Sequence, residues 1–362
     1  MKSFRKALVF VSTAFAFLGS AHAAELKEIA TIPIPGEKLL GWDISFVDQA
    51  SQRYYLADQS NRAVDIFDTK ENTYLGRVAG FVGRVIEDGK PNRNKSGPDG
   101  IVALGDRAWA GDGDSTLKVL DLKAMKLNDT IATGGKTRLD EIAFDPKDEV
   151  LIAVNNAEDP PFATLFSTRP DHKVVGKIVF SDATDGAEQP AYNPGDGMFY
   201  VAIPEIRKDP GKGGVAVIDP KSGKIIKTLS NEMCHPHGLA FGPSQNFVLG
   251  CSANGKNGMP PVILVMNATT GATVATIADI GGADMVAYSA RNNQYYIGGA
   301  GMPGGGTLGV IDAKTNQLVQ KLAMPGGGTP HSLAVDETTG HVFVPSNAEG
   351  GGCGCIQVLG LQ

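Results

Sequence analysis

The sequence predicts an all-β fold, a seven-bladed β-propeller with four-stranded blades, and three observations carry that prediction. A strand-like motif recurs seven times, at intervals of 57, 41, 48, 49, 47 and 47 residues. Each copy leads into further short β-branched or aromatic runs; in the sixth these are MVAYS, QYYIGGA, TLGVIDA and LVQKLAM, all between Met285 and Met324. Glycine is abundant, 46 of 362 residues, without any long apolar run at helical period. A unit of four short strands cannot bury both of its faces alone, so a period in the forties implies units packed around a ring, one blade each.

The chain opens on a segment that does not belong to the ring. Lys2, Arg5 and Lys6 precede the apolar run Ala7–Leu18, and Ala21-His22-Ala23 has the small-x-small pattern of signal-peptide cleavage. Residues 1–23 therefore read as a signal peptide and residues 24–362 as the propeller. No cysteine follows the cleavage site, and no later run approaches the roughly 20 apolar residues of a membrane span. The expectation is a periplasmic or secreted protein, soluble and monomeric. Loss of the leader removes three positive charges and no negative ones, so the net charge of −6 becomes −9. Such acidity disfavours nucleic acid and anionic membrane as partners.

The innermost strands open with WDISFVD at Trp42, DGIVALGD at Asp99, DEIAFDP at Asp140, EQPAYNP at Glu188, HGLAFGP at His237, DMVAYSA at Asp284 and HSLAVDE at His331. Second strands follow as RYYLAD, RAWAGD, VLIAVNN, MFYVAI, NFVLGCS, QYYIGGA and HVFVPSN, the β-branched and aromatic text of buried strands. Third strands such as AVDIFDT, LKVLDLK and GVAVIDP end at an Asp or Asn that starts a turn. Blade three fits least well, because ATLFSTRPDHKVVGKIVF must supply two strands without that Asp. The last blade ends with its third strand, CIQVLGLQ. Its fourth has a donor in AELKEIATIPIPG, at the start of residues 24–362, and this pairing would leave no open edge.

The loops are unequal. Connections between strands one and two, and three and four, are short turns such as DPKDE, DPKSGK and NATTGA. Those on the opposite face are long: VGRVIEDGKPNRNKSGP, NNAEDPPFA, PEIRKDPGKGG, ANGKNGMPP and NAEGGGCG. Long loops on a rigid scaffold are where binding concentrates, so the long-loop face is the expected place for a small molecule or a partner protein.

The column that opens the inner strands, Trp42, Asp99, Asp140, Glu188, His237, Asp284 and His331, would ring the channel mouth on that face. Three roles fit it: polar lining of a wet channel, a ligand or divalent-metal site, or hydrolysis with a carboxylate or imidazole as general base. His235, separated from His237 by Pro236, is expected to point away from it, as alternate residues of an extended segment do. His172 and His341 are expected at the surface. Cys234 and Cys251 bracket the mouth end of blade five and suit a disulfide or a pair of buried thiols. Cys353 and Cys355, with one residue between them, leave reduced thiols, a labile bridge or soft-metal binding open. Met259 and Met302 suit loop packing or, less simply, copper. No CxxCH is present, which excludes covalent haem. No nucleophile elbow, phosphate loop or zinc-protease helix occurs, and the one basic cluster, GKPNRNK, reads as a solvated loop.

The text TPHSLAVDETTGHVFVPSN at Thr329–Asn347, with GTLGVIDAKTNQLVQKL at Gly306–Leu322, resembles the YVTN-type repeats of the YncE-like periplasmic seven-bladed propellers, a group overlapping with the propeller lactonases and the d1-haem domain of nitrite reductase. The resemblance covers most of the mature chain, best in blades four to seven, and its motifs are specific to fold rather than activity. It implies a binding module holding a small ligand, metal ion or partner protein at the mouth. The alternative is a lactonase-type hydrolase using Glu188, His237, Asp284 and His331 around one divalent ion; the binding module is favoured because no recognisable catalytic constellation accompanies the ring. A gluconolactonase-like branch would add an Asn to Glu188 and Asp284, and no Asn here matches.

Overall fold

In the computed structural model the chain is described over residues 24–252, 259–300, 302, 305–324, 328–349 and 351–362; the expected leader, residues 1–23, lies outside them. Seven antiparallel four-stranded sheets succeed one another as blades. Their inner strands are Ser45–Asp48, Ile101–Leu104, Ile142–Asp145, Pro190–Asn193, Pro236–Phe241, Ala283–Ser289 and Ala334–Val335. The seventh sheet takes its outer strand from Leu26–Pro33, which pairs antiparallel with Cys355–Leu361, so both ends of the propeller share one blade.

The second strands explain why the apolar runs are continuous. Successive side chains of a strand point to opposite faces, and each face of a blade meets a neighbouring blade. Tyr54 enters the seam between blades seven and one and Tyr55 the seam between one and two; Tyr295 and Tyr296 divide in the same way between seams five–six and six–seven. Seven apolar clusters result, one in each seam around the ring. The last seam closes through Ile32, Phe343, Ile356 and Val358 against Tyr54 and Phe67, with Tyr54 stacked on Phe343 at 5.2 Å between centroids.

Turn chemistry sets the short-loop face. Asp68, Asp121 and Asp312 each accept backbone N–H groups two and three residues on, at 2.7–3.0 Å. Blade three, which has no Asp there, uses Ser167 Oγ to accept from the Arg169 N–H at 3.2 Å. On the other face the loop after blade one folds into a hairpin, Ile86–Glu87 with Lys90–Pro91, and a short 3-10 turn, Arg93–Lys95.

Ile32 is 2% exposed at the closing seam. Ile32→Ala is expected to cost about 3 kcal/mol, read as a lowered urea midpoint at unchanged slope, and deletion of residues 24–33 should abolish the cooperative transition.

Candidate functional site

A shared backbone register fixes what each blade presents at the channel. Asp43, Asp99, Asp140 and Glu188 donate their N–H groups to the carbonyls of Ala57, Gly111, Val154 and Ala202 at 3.0, 3.0, 2.7 and 2.8 Å. Blade one therefore contributes Asp43, not Trp42. Trp42 lies one residue out of register; it packs half-buried against the seam of blades seven and one and edges the cavity described below. The spacing to the turn residue that ends each inner strand carried this information: Asp43 to Asp48, Asp140 to Asp145, Glu188 to Asn193 and His331 to Asp336 are all the same interval.

The column divides into two groups. The deeper one is organised by Arg138, which the sequence pattern alone does not single out. Its guanidinium meets Asp43 Oδ2 at 2.6 Å, Asp140 Oδ2 at 2.7 Å and Asp99 Oδ1 at 3.4 Å, and Gln59 Nε2 donates to Asp99 at 3.0 Å. Asp99 and Asp140 are fully buried and do not line the open cavity. Burial pushes both well above the ordinary carboxylate range despite Arg138; Asp43 is also buried, but Arg138 and His331 hold it below that range. The inner ends approach closely because residues 100 and 111 are glycines: a Cβ at either would collide with the Asp140 or Leu139 carbonyl oxygen.

The second group faces the cavity. His331 Nε2 lies 3.1 Å from Asp43 Oδ1 and 3.1 Å from Asp284 Oδ2. His237 Nδ1 lies 3.3 Å from Asp284 Oδ1 and 4.0 Å from Glu188 Oε2. Asp284 thus offers one oxygen to each imidazole. Two sets of potential metal-ligand atoms share it, Glu188–His237–Asp284 and Asp43–Asp284–His331, each within 4.8 Å. A third set, Asp43–Asp99–Asp140, already holds a cation, the Arg138 guanidinium. Burial opposes charge on His237, but Glu188 and Asp284 prevail and raise it to about 9. His331 is raised by Asp284 and Asp43 against the same burial. Burial would lift Asp284, yet His331 and His237 hold it far below its usual range, whereas burial dominates at Glu188 and lifts it.

His235 does not point away. Its backbone is left-handed, φ 53°, which breaks the alternation of an extended segment. Its Nδ1 meets His237 Nε2 at 3.2 Å and its Nε2 meets Asp185 Oδ2 at 3.0 Å. His172 is likewise buried rather than at the surface, edge-on to Trp109. Beside the site, Cys234 and Cys251 form a disulfide with Cα atoms 4.6 Å apart, and Cys353 is bonded to Cys355. Met259 is buried and Met302 packs on the seam of blades five and six; neither lines the cavity.

Above the second group lies a cavity of about 570 Å³, walled by the long-loop face: Gln59, Arg84, Arg93, Ala300, Asn347 and Glu349 over Glu188, His237, Asp284 and His331. No family model matches the chain, and no curated protein sequence matches it.

Two outcomes are expected. Arg138→Met leaves buried aspartates without their cation and should cost about 3–5 kcal/mol in urea unfolding. Lysine should restore little, since a single ammonium does not reproduce the guanidinium fork. In chelator-treated protein, His237 binds its proton more tightly folded than unfolded. That stabilisation is complete below pH 6.5 and lost as pH rises through about 9. The thermal midpoint should therefore fall across that window, and fall less in His237→Gln.

Proposed function

We propose that the protein is an exported propeller that binds a divalent metal ion at its axial mouth, held by Glu188, His237 and Asp284, with His331 on the second oxygen of Asp284. Hydrogen-bond direction carries this reading. The exposed Asp185 carboxylate accepts, so His235 Nε2 carries the proton. Burial holds His235 below its ordinary value, which leaves Nδ1 as a lone pair that accepts from His237 Nε2–H. His237 Nδ1 is then a second lone pair, aimed at Asp284 and Glu188. Three acceptors converging on one point require a cation among them, either a proton on Nδ1 or a metal ion. A mixed imidazole and carboxylate set suits Zn, Mn, Fe or Cu better than Ca, and a ligating His whose other N–H is hydrogen-bonded towards a carboxylate is the usual second layer of such sites. The YVTN-like repeat text and the leader-like residues 1–23 support the exported setting.

A second reading, metal-dependent hydrolysis of a lactone, is favoured by Glu188. A buried carboxyl raised above its ordinary value beside a cation site has the property required of a general base. In this reading Asp43, Asp284 and His331 would hold the metal, which would supply Lewis acidity, and Glu188, not ligating, would take the proton of the attacking water.

Metal analysis of the purified mature chain tests the site. The expected result is one divalent ion per chain, removed by chelator and lost in His237→Ala and Asp284→Ala. Protons compete for the imidazoles, so affinity should weaken by about tenfold per pH unit for each proton displaced as pH falls below about 9. Uptake that is absent, or unchanged in both variants, removes the proposal. A lactone panel with and without chelator separates binding from turnover.

A further inference from the structure

The basic insert between blades one and two, residues 82–98, is solvent-exposed over most of 86–95, as expected of GKPNRNK, but it is anchored. Its hairpin and 3-10 turn lean over the axial mouth, where the Arg84 N–H donates to the Gln59 carbonyl at 2.9 Å and the Arg138 N–H donates to the Asn94 carbonyl at 2.8 Å. Within the insert, Glu87 is already engaged, by Lys95 at 3.0 Å and by Asn92 at 2.7 Å. Arg84 and Arg93 are in a different position. Both line the axial cavity, and among the described residues neither has a carboxylate within 4.0 Å. Arg138 is consumed by its three aspartates, so these two guanidinium groups are the cations that the cavity wall leaves unpaired. Arg93 also stands close enough for its charge to oppose protonation of His331, which places it over the His331 end of the site.

We propose that Arg84 and Arg93 form a clamp for the carboxylate or phosphate group of a small organic anion, whose remainder lies in the axial cavity against the proposed metal site. The inference rests on the reading of that mouth as the binding site. A guanidinium presents a planar fork of donors that matches an oxyanion, and a cavity of about 570 Å³ is of small-molecule size. A net charge of −6, or −9 without residues 1–23, would repel anions from most of this surface, so arginines without acidic partners at one opening are a local exception, and the insert that lengthens the first repeat interval to 57 residues supplies both.

The mature chain, loaded with Zn²⁺ and separately metal-free, would be titrated calorimetrically with oxalate and with inorganic phosphate. Arg84→Met, Arg93→Met and the double variant are compared with Lys95→Met, a cation of the same insert outside the cavity; thermal melts verify folding, and Arg84→Lys and Arg93→Lys serve if a methionine variant does not fold. The expected result is saturable binding of at least one anion, weakened tenfold or more in each arginine variant and unchanged in Lys95→Met. Absence of binding by either anion overturns the clamp, as does equal affinity in the double variant, in which case the anion sits on the metal alone. Arginine-dependent binding by a chain that takes up no metal sinks the metal reading and keeps the clamp; normal metal uptake with arginine-independent anion binding does the reverse.

Discussion

One guanidinium sets the conditions for the rest of the axial site. Arg138, with its side chain 14% exposed, gathers carboxylates from the inner ends of blades one, two and three. Without it, Asp43, Asp99 and Asp140 would hold like charges against one another away from water, a situation that buried groups escape by taking up protons. Arg138 acts on all three, and His331 makes the difference: with its added pull Asp43 is held below its ordinary range, while burial keeps Asp99 and Asp140 above theirs. Asp43 then turns its free oxygen to His331. From there a continuous polar line crosses the channel through Asp284, His237 and His235 to the surface at Asp185. Within it His331, Asp284 and His237 each answer to the charge of the one before.

The site is placed by rigid parts and reached through adaptable ones. Its imidazoles and carboxylates sit at or just before the starts of inner strands, whose positions are fixed by the apolar seams on both sides of every blade. The walls of the cavity come from the connections on the same face, which are free to vary without disturbing those seams. The base and the rim of the cavity are thus built from different parts of each repeat.

Much of this was legible in the sequence, and the misses have physical causes. Blade number, strand count and closure by Leu26–Pro33 followed from a period that packing enforces. Glu188, His237, Asp284 and His331, which stand together at the cavity, were legible as a column of ionisable residues at one phase of a repeat. Asp43 was missed by one residue, since the isoleucines of WDI and DGI align by eye while the backbone register does not. Arg138 lies outside the repeated phase altogether; only the charge of its neighbours demanded it, and that demand is visible once three buried aspartates are known to converge. His235 was misplaced because a single left-handed residue overturns the alternation that extended chain would impose.

Closing the wheel with its own first strand has a consequence for how the molecule is made. Leu26 is paired with Leu361, so this strand must wait, with its backbone donors and acceptors unspent, for one that is made only after the other six blades. Until then Cys355–Leu361 keeps an unpaired strand edge, and any other extended chain competes for it. The clasp that makes the mature object seamless is, during its synthesis, the point at which two copies are most able to trade strands.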